Sequence, residues 1–181
     1  MVYIALLRGV NVGGHQVKME RVREIFRELG FSNVRSYIQS GNIFFETDDG
    51  DRDVLTQKIE KKLHAELGYE VPVFLRTISE FEALLALDPF KKRKVTDDMR
   101  LCIVFTKDTL AKDLKLPMIS DKKDLELVQV APNEAFVIWY IINGRPPSSM
   151  TFLDKIIGKR TTTRFIHTAA KILAAAKQEN P

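Results

Sequence analysis

Cysteine is almost missing: Cys102 is the only one in 181 residues. An internal disulfide is excluded, and a reducing compartment is expected. No apolar run approaches the roughly 18 residues that cross a membrane as a helix. The opening Met1-Val2-Tyr3-Ile4 has neither the basic segment nor the cleavage site of a secretory leader, so a cytoplasmic location is the expectation. There is no Gly-x-Gly-x-x-Gly before a helix and no Gly-Lys-Ser/Thr, which argues against dinucleotide and Walker-type sites. His15, His64 and His167 show no metal-ligand spacing with each other or with Cys102. Neither a metal nor a particular cofactor is implied. An excess of positive charge is present but small. A net +4 and a pI near 9.1 suit phosphate-bearing partners and fall far short of a polybasic nucleic-acid tail.

What the chain does have is a globular balance, with 45% hydrophobic and 29% charged residues and eleven Phe for a core. Val2 to Leu7 is almost wholly apolar, the pattern of a central strand buried on both faces. Met19, Val22, Ile25, Phe26 and Leu29 follow at helical spacing, and Gly30 stands where a helix stops. Val34 to Ile38 and Ile43 to Thr47 read as strands joined at Gln39-Ser40-Gly41-Asn42. An acid of Asp48-Asp49-Gly50-Asp51 can cap the next helix, which carries Val54, Leu55, Ile59, Leu63 and Leu67 on one face and closes at Gly68. Val71 to Leu75 is a strand, and Ser79 with Glu82 suggests a capping box for a helix reaching Leu87.

Residues 1–89 thus read β-α-β-β-α-β, the ferredoxin-like order, and 90–99, with Lys91 to Lys94, reads as a charged linker. Residues 100–181 read as a second ferredoxin-like half, its last strand shortened or missing. Its expected elements are a strand Leu101 to Phe105, a short helix Asp108 to Leu114, a hairpin from Leu125 to Ile142, and helices Ser149 to Ile157 and Thr163 to Ala176. The fold class is α+β.

The informative stretch is Arg8-Gly9-Val10-Asn11-Val12-Gly13-Gly14-His15-Gln16-Val17-Lys18. Glycines let backbone approach a ligand, and a helix start adds unpaired N–H groups and a positive dipole end. Lys18 is a cation at that start, and no acid occurs between Arg8 and Glu20. An anion would relieve the repulsion. In the ferredoxin-like order the end of the first strand and the Gln39–Asn42 bend share one edge of the sheet. A small phosphate- or carboxylate-bearing ligand is therefore expected at Arg8, Asn11, Gly13, Gly14, Lys18, Gln39, Ser40 and Asn42.

Leu6-Leu7-Arg8-Gly9-Val10-Asn11-Val12-Gly13-Gly14 with Lys18-Met19, and Tyr37-Ile38-Gln39-Ser40-Gly41-Asn42-Ile43, resemble the bacterial domain-of-unknown-function family 1697 along nearly the whole chain. The resemblance implies a two-part α+β fold of ferredoxin-like character and no activity. The family's C-terminal Thr-Thr-Arg-Asn-Trp motif is matched by Thr162-Thr163-Arg164-Phe165-Ile166, with Phe165 and Ile166 in place of the Asn and Trp. Arg164 stays a candidate ligand contact. The threonines read as a cap on the last helix.

Other readings rest on less. Tyr3 and Phe44 stand roughly where an RNA-recognition module stacks bases, which makes single-stranded RNA the alternative partner, although buried core suits both residues better. Catalysis has no identified base, and Ser40 lacks a nucleophile-elbow context. The apolar run around Trp139 and Tyr140 is either a doubly covered central strand or an edge that pairs with a second copy in a homodimer.

Overall fold

A computed structural model describes residues 1–14 and 16–178. His15 and residues 179–181 lie outside the described set. Among the described residues the fold is mixed α+β, with two antiparallel sheets and five helices. The chain divides into two units, residues 1–84 with 171–181, and residues 85–170.

The first unit holds β1 (Val2–Leu7), α1 (Met19–Glu28), β2 (Ser32–Tyr37), β3 (Asn42–Glu46), α2 (Arg52–Leu67) and β4 (Val73–Thr77). Its sheet order is β2-β3-β1-β4. Because β3 is antiparallel to both β1 and β2, β1 and β2 run parallel one strand apart. On one face Tyr3, Ala5, Leu7, Ile43, Phe45, Val73 and Leu75 meet Val22, Ile25 and Phe26 of α1 and Leu55, Ile59 and Leu63 of α2. Tyr3 stacks on Phe45, with ring centroids 5.6 Å apart. Ile4, Leu6, Phe44 and Phe74, which alternate to the other face, are buried as well. This is why β1 reads as an unbroken apolar run.

Two of the helices, α2 and α3 (Ile78–Ala86), start at short polar caps. Asp51 caps α2, its Oδ1 accepting from the N–H groups of Asp53 and Val54 at 3.0 and 3.1 Å. The capping box of α3 is made by Thr77 and Glu80, not by Ser79 and Glu82. The Glu80 N–H donates to Thr77 Oγ1 (3.2 Å), and the Thr77 N–H to Glu80 Oε2 (2.8 Å). Both pairs fit the four-residue pattern; the helix starting directly from β4 selects the earlier one.

The second unit's strands are β5 (Met99–Thr106), β6 (Met118–Ile119), β7 (Leu125–Ala131), β8 (Glu134–Tyr140) and β9 (Thr161–Phe165), with α4 (Met150–Ile157) ahead of β9. Sheet order is β6-β7-β8-β5-β9. Two expectations are corrected here, and one open alternative is decided. The last strand of this half is neither missing nor shortened: β9 pairs antiparallel with β5 from Cys102↔Phe165 to Thr106↔Thr161. Three consecutive threonines are β-branched and suit a strand, so the last helix, α5 (Ile166–Lys177), begins only after them. The element that is absent is the helix expected at Asp108–Leu114. There the Leu110 N–H donates to Pro132 O (2.8 Å) and Asn133 Nδ2 to Asp108 O (3.2 Å), tying the segment to the β7–β8 turn. Finally, β8 lies between β7 and β5, so Trp139 and Tyr140 sit on an interior strand that cannot pair edge to edge with another copy.

The segment expected to be a solvated charged linker is anchored at two points. Phe90 is buried edge-on against Phe136, and Arg93 forms an ion pair with the buried Glu126.

The end of α5 returns to the first unit, where Arg35 donates to the carbonyls of Ala175 (2.9 Å) and Ala176 (3.0 Å) while its guanidinium lies over the Phe44 ring. A cation is favourable at these unpaired C-terminal carbonyls. Arg35→Ala is expected to cost about 2 kcal/mol, from two charge-assisted bonds and a cation–π contact. Arg35→Lys should recover less than half, because an ammonium lacks the fork that spans both carbonyls. Urea unfolding followed by circular dichroism measures both.

Candidate functional site

Two turns remote in sequence meet beside the end of β1. The Leu7 N–H donates to Gly41 O (2.8 Å), and Leu6 pairs with Asn42 across β1 and β3. Gly41 has φ +74°, and a Cβ there would sit 3.0 Å from Leu7 Cβ and 3.3 Å from both Leu7 O and Val10 Cβ. Only glycine permits this approach. Ile38 takes φ +51° at the mouth of the bend, an uncommon conformation for a β-branched residue.

Asn11 is the joint between the two turns. It adopts φ +60° and gives its Nδ2 to Gln39 O (2.9 Å), while its Oδ1 accepts the Val17 N–H (2.7 Å). One carboxamide thus fixes the bend on one side and the approach to α1 on the other.

Between them lies a cleft of about 630 Å³, whose walls include Asn11, Gln16, Lys18, Glu20, Arg23 and Gln39. Lys18 is the N-cap residue of α1, with extended backbone and no side-chain hydrogen bond to the first turn. Its ammonium has no ion pair among the described residues. Arg23 is engaged: Nη1 donates to Ser36 Oγ (2.6 Å), and Nη2 is paired with Glu20. Hydrogen bonds from Arg27 and then Arg23 hold the Glu20 carboxyl below its usual range. The acid in the cleft is therefore already satisfied, whereas Lys18 is the unanswered charge.

The other expected site residues fall around this cleft or away from it. Arg8 is exposed at the end of β1, with its backbone N–H given to Pro72 O (2.9 Å). Gly13, Gly14 and Ser40 are exposed and do not line the cleft. Asn42 is fully buried, and its Nδ2 donates to Tyr37 O (3.1 Å) and Ser40 Oγ (3.0 Å), so it builds the bend. Arg164 belongs to the second unit, on β9. It is buried, donates to Thr162 Oγ1 (3.0 Å) and Thr163 O (2.9 Å), and burial brings its pKa down to about 10. The threonines are strand residues and not helix caps. Gln16, Glu20 and Arg23 are cleft residues that the sequence reading missed. Glu20 and Arg23, three apart on a helix, carry only the signal of a surface ion pair.

The RNA reading does not survive the register. Tyr3 pairs with Phe45 and Ile4 with Phe44, which places Tyr3 and Phe44 on opposite faces of the sheet. They are 2% and 1% exposed, so neither can take a base. Cys102 is buried in β5, where burial pushes its thiol far above the usual range. Among the described residues, no cluster of His, Cys, Asp and Glu could hold a metal ion, and no helix is long and apolar enough to cross a membrane.

A search of curated proteins gives no match. Among solved structures, the chain is similar to the conserved bacterial protein SP0830 from Streptococcus pneumoniae, with a TM-score of 0.70, 25% identity and 98% of each chain covered. The family of proteins of unknown function called DUF1697 has a model that matches residues 1–136, which include both glycine-bearing turns and stop short of Arg164. The chain belongs to the DUF1697 family.

Proposed function

We propose that the protein binds a small anion, a phosphate or carboxylate, in the cleft between the β1–α1 loop and the β2–β3 bend. The observation that carries this reading is the combination of that cleft with an uncapped helix start whose cation, Lys18, has no ion pair among the described residues. Anions are favoured where first-turn N–H groups lack acceptors. Gln16 and Gln39 would add neutral amide donors at the walls, with Arg8 as longer-range positive charge. The strand order β2-β3-β1-β4, repeated as β7-β8-β5-β9, supports reading each unit as a ferredoxin-like plan, the second without its first helix. In this reading the protein works in the cytoplasm, in keeping with its lone cysteine.

Thermal shift against inorganic phosphate, sulfate and a set of metabolite acids and phosphate esters tests the proposal. A true ligand at a hundred times its Kd stabilises by about 2.7 kcal/mol. Lys18→Ala is expected to act in opposite senses on the two states. Without ligand it leaves the fold unchanged or raises stability by about 0.3–1 kcal/mol, because a cation leaves the helix N-terminus. With ligand, most of the shift is lost. Arg8→Ala keeps the fold and weakens the response. No shift with any anion, or a full shift in Lys18→Ala, would defeat the reading.

A further inference from the structure

The second unit contains a separate cleft of about 590 Å³, lined among others by Lys122, Tyr140, Ile142, Arg145 and Pro146. Backbone bonds hold its frame. The Tyr140 N–H donates to Asp124 O (2.9 Å), and Ile142 and Arg145 exchange N–H···O bonds of 3.2 and 3.0 Å around Asn143-Gly144. Both turn residues have positive φ, 52° and 73°, the geometry of a tight two-residue hairpin. Arg145 is therefore presented by a fixed turn.

The charges in this cleft do not cancel. Asp124 is buried and saturated: it accepts from Ser120 Oγ (2.8 Å), the Ser148 N–H (2.7 Å), Ser148 Oγ (3.2 Å) and the Ser149 N–H (3.2 Å). Lys122 donates to Ser148 Oγ (3.0 Å) and has no ion pair among the described residues; nor does Arg145. The Tyr140 hydroxyl is turned to Glu126 Oε2 (2.6 Å), which leaves its ring, with Ile142 and Pro146, as the apolar part of the wall. Two cations thus share a cleft with an aromatic and aliphatic surface.

We infer that this cleft binds an organic anion with an apolar body, the carboxylate or phosphate lying between Lys122 and Arg145 and the body against Tyr140, Ile142 and Pro146. Charge alone would accept inorganic phosphate. The apolar wall is what selects for an attached ring or acyl chain, since its burial adds affinity in proportion to area.

Isothermal titration of the intact protein with phenyl phosphate, benzoate and inorganic phosphate tests this. Phenyl phosphate or benzoate is expected to bind at least fivefold more tightly than inorganic phosphate. Arg145→Ala and Lys122→Ala should each weaken that binding about tenfold, the loss of one charge-assisted contact. Both residues are exposed, so unfolding midpoints should stay unchanged and fold loss is not confused with site loss. Lys18→Ala, in the first unit's cleft, should have no effect. The inference is overturned if neither aromatic anion binds, if the Lys122→Glu/Arg145→Glu double variant binds as well as the original, or if Lys18→Ala removes the binding.

Discussion

Gly41→Ala is expected to destabilise the protein by about 2–4 kcal/mol, from left-handed backbone strain together with overpacking. The backbone at φ +74° holds a Cβ against the following carbonyl. The added methyl would also sit 3.0 Å from Leu7 Cβ and 3.3 Å from Val10 Cβ, inside the roughly 3.5–4.0 Å optimum for carbon contacts. Leu7 and Val10 are both buried, so neither can swing into solvent to make room. Gly13→Ala separates the two contributions. Gly13 also has positive φ, 62°, yet nothing lies within 4 Å of its Cβ position, so only the strain of about 1–2 kcal/mol applies. The difference between the two variants in urea unfolding, at unchanged m-value, measures how tightly the bend is pressed on β1. Equal losses would mean that the two turns are not in contact. Gly41→Ala should also blunt any ligand-dependent shift, because the bend that it displaces carries Gln39.

That contact was legible before any coordinates, for a topological reason. Once β1, β2 and β3 are recognised from alternation and continuous apolar runs, antiparallel pairing brings the end of one strand to the start of another. Asn11, Lys18 and Gln39 follow, since they are among the polar residues of those two turns. What stayed hidden depends on choices that periodicity does not make. Thr161 to Phe165 contains polar residues that fit a helix start as well as an edge strand; pairing with β5 decides it. Asp108 to Leu114 has helix-compatible spacing, yet the Leu110 N–H finds its acceptor at Pro132 O in the β7–β8 turn, and Asp108 O takes its donor from Asn133 there. The RNA reading failed at a finer level. Placing Tyr3 and Phe44 on paired strands is correct, but a one-residue offset in register puts them on opposite faces. The pairing of β7 with β8 was expected as a hairpin, but the second cleft was not read from it, because Lys122 and Arg145 lie beyond the two strand ends that the pairing brings together.

Asp124→Ala should cost about 3–4 kcal/mol, because it strands the buried Ser120 hydroxyl and the partly buried Ser148 and Ser149 N–H groups at once. The carboxylate joins three pieces of chain: the Ser120 turn before β7, the Ser148-Ser149 entry to α4, and β7 itself. Burial by itself would raise its pKa; hydrogen bonds from Ser149, the Ser148 N–H and Ser120 outweigh that and hold the carboxyl well below its ordinary value. The sign of the pH dependence follows. With the folded-state pKa below the unfolded one of about 3.9, the unfolded chain binds the proton first, so this stabilisation is complete at neutral pH and drains away as pH falls below about 4. Asp124→Asn should therefore lose stability at pH 7 and show a shallower decline between pH 4 and pH 2 than the original protein. Its single carbonyl oxygen can still serve the Ser148 and Ser149 N–H groups. Its amide would then face Ser120 Oγ, which already accepts from the Asp124 and Leu125 N–H groups. The asparagine variant should fall between the original and alanine at neutral pH, and the gap between the original and the two variants should narrow as pH falls from about 4 to about 2. Parallel acid limbs in all three proteins would mean that the Asp124 charge does not hold the entry to α4 in place.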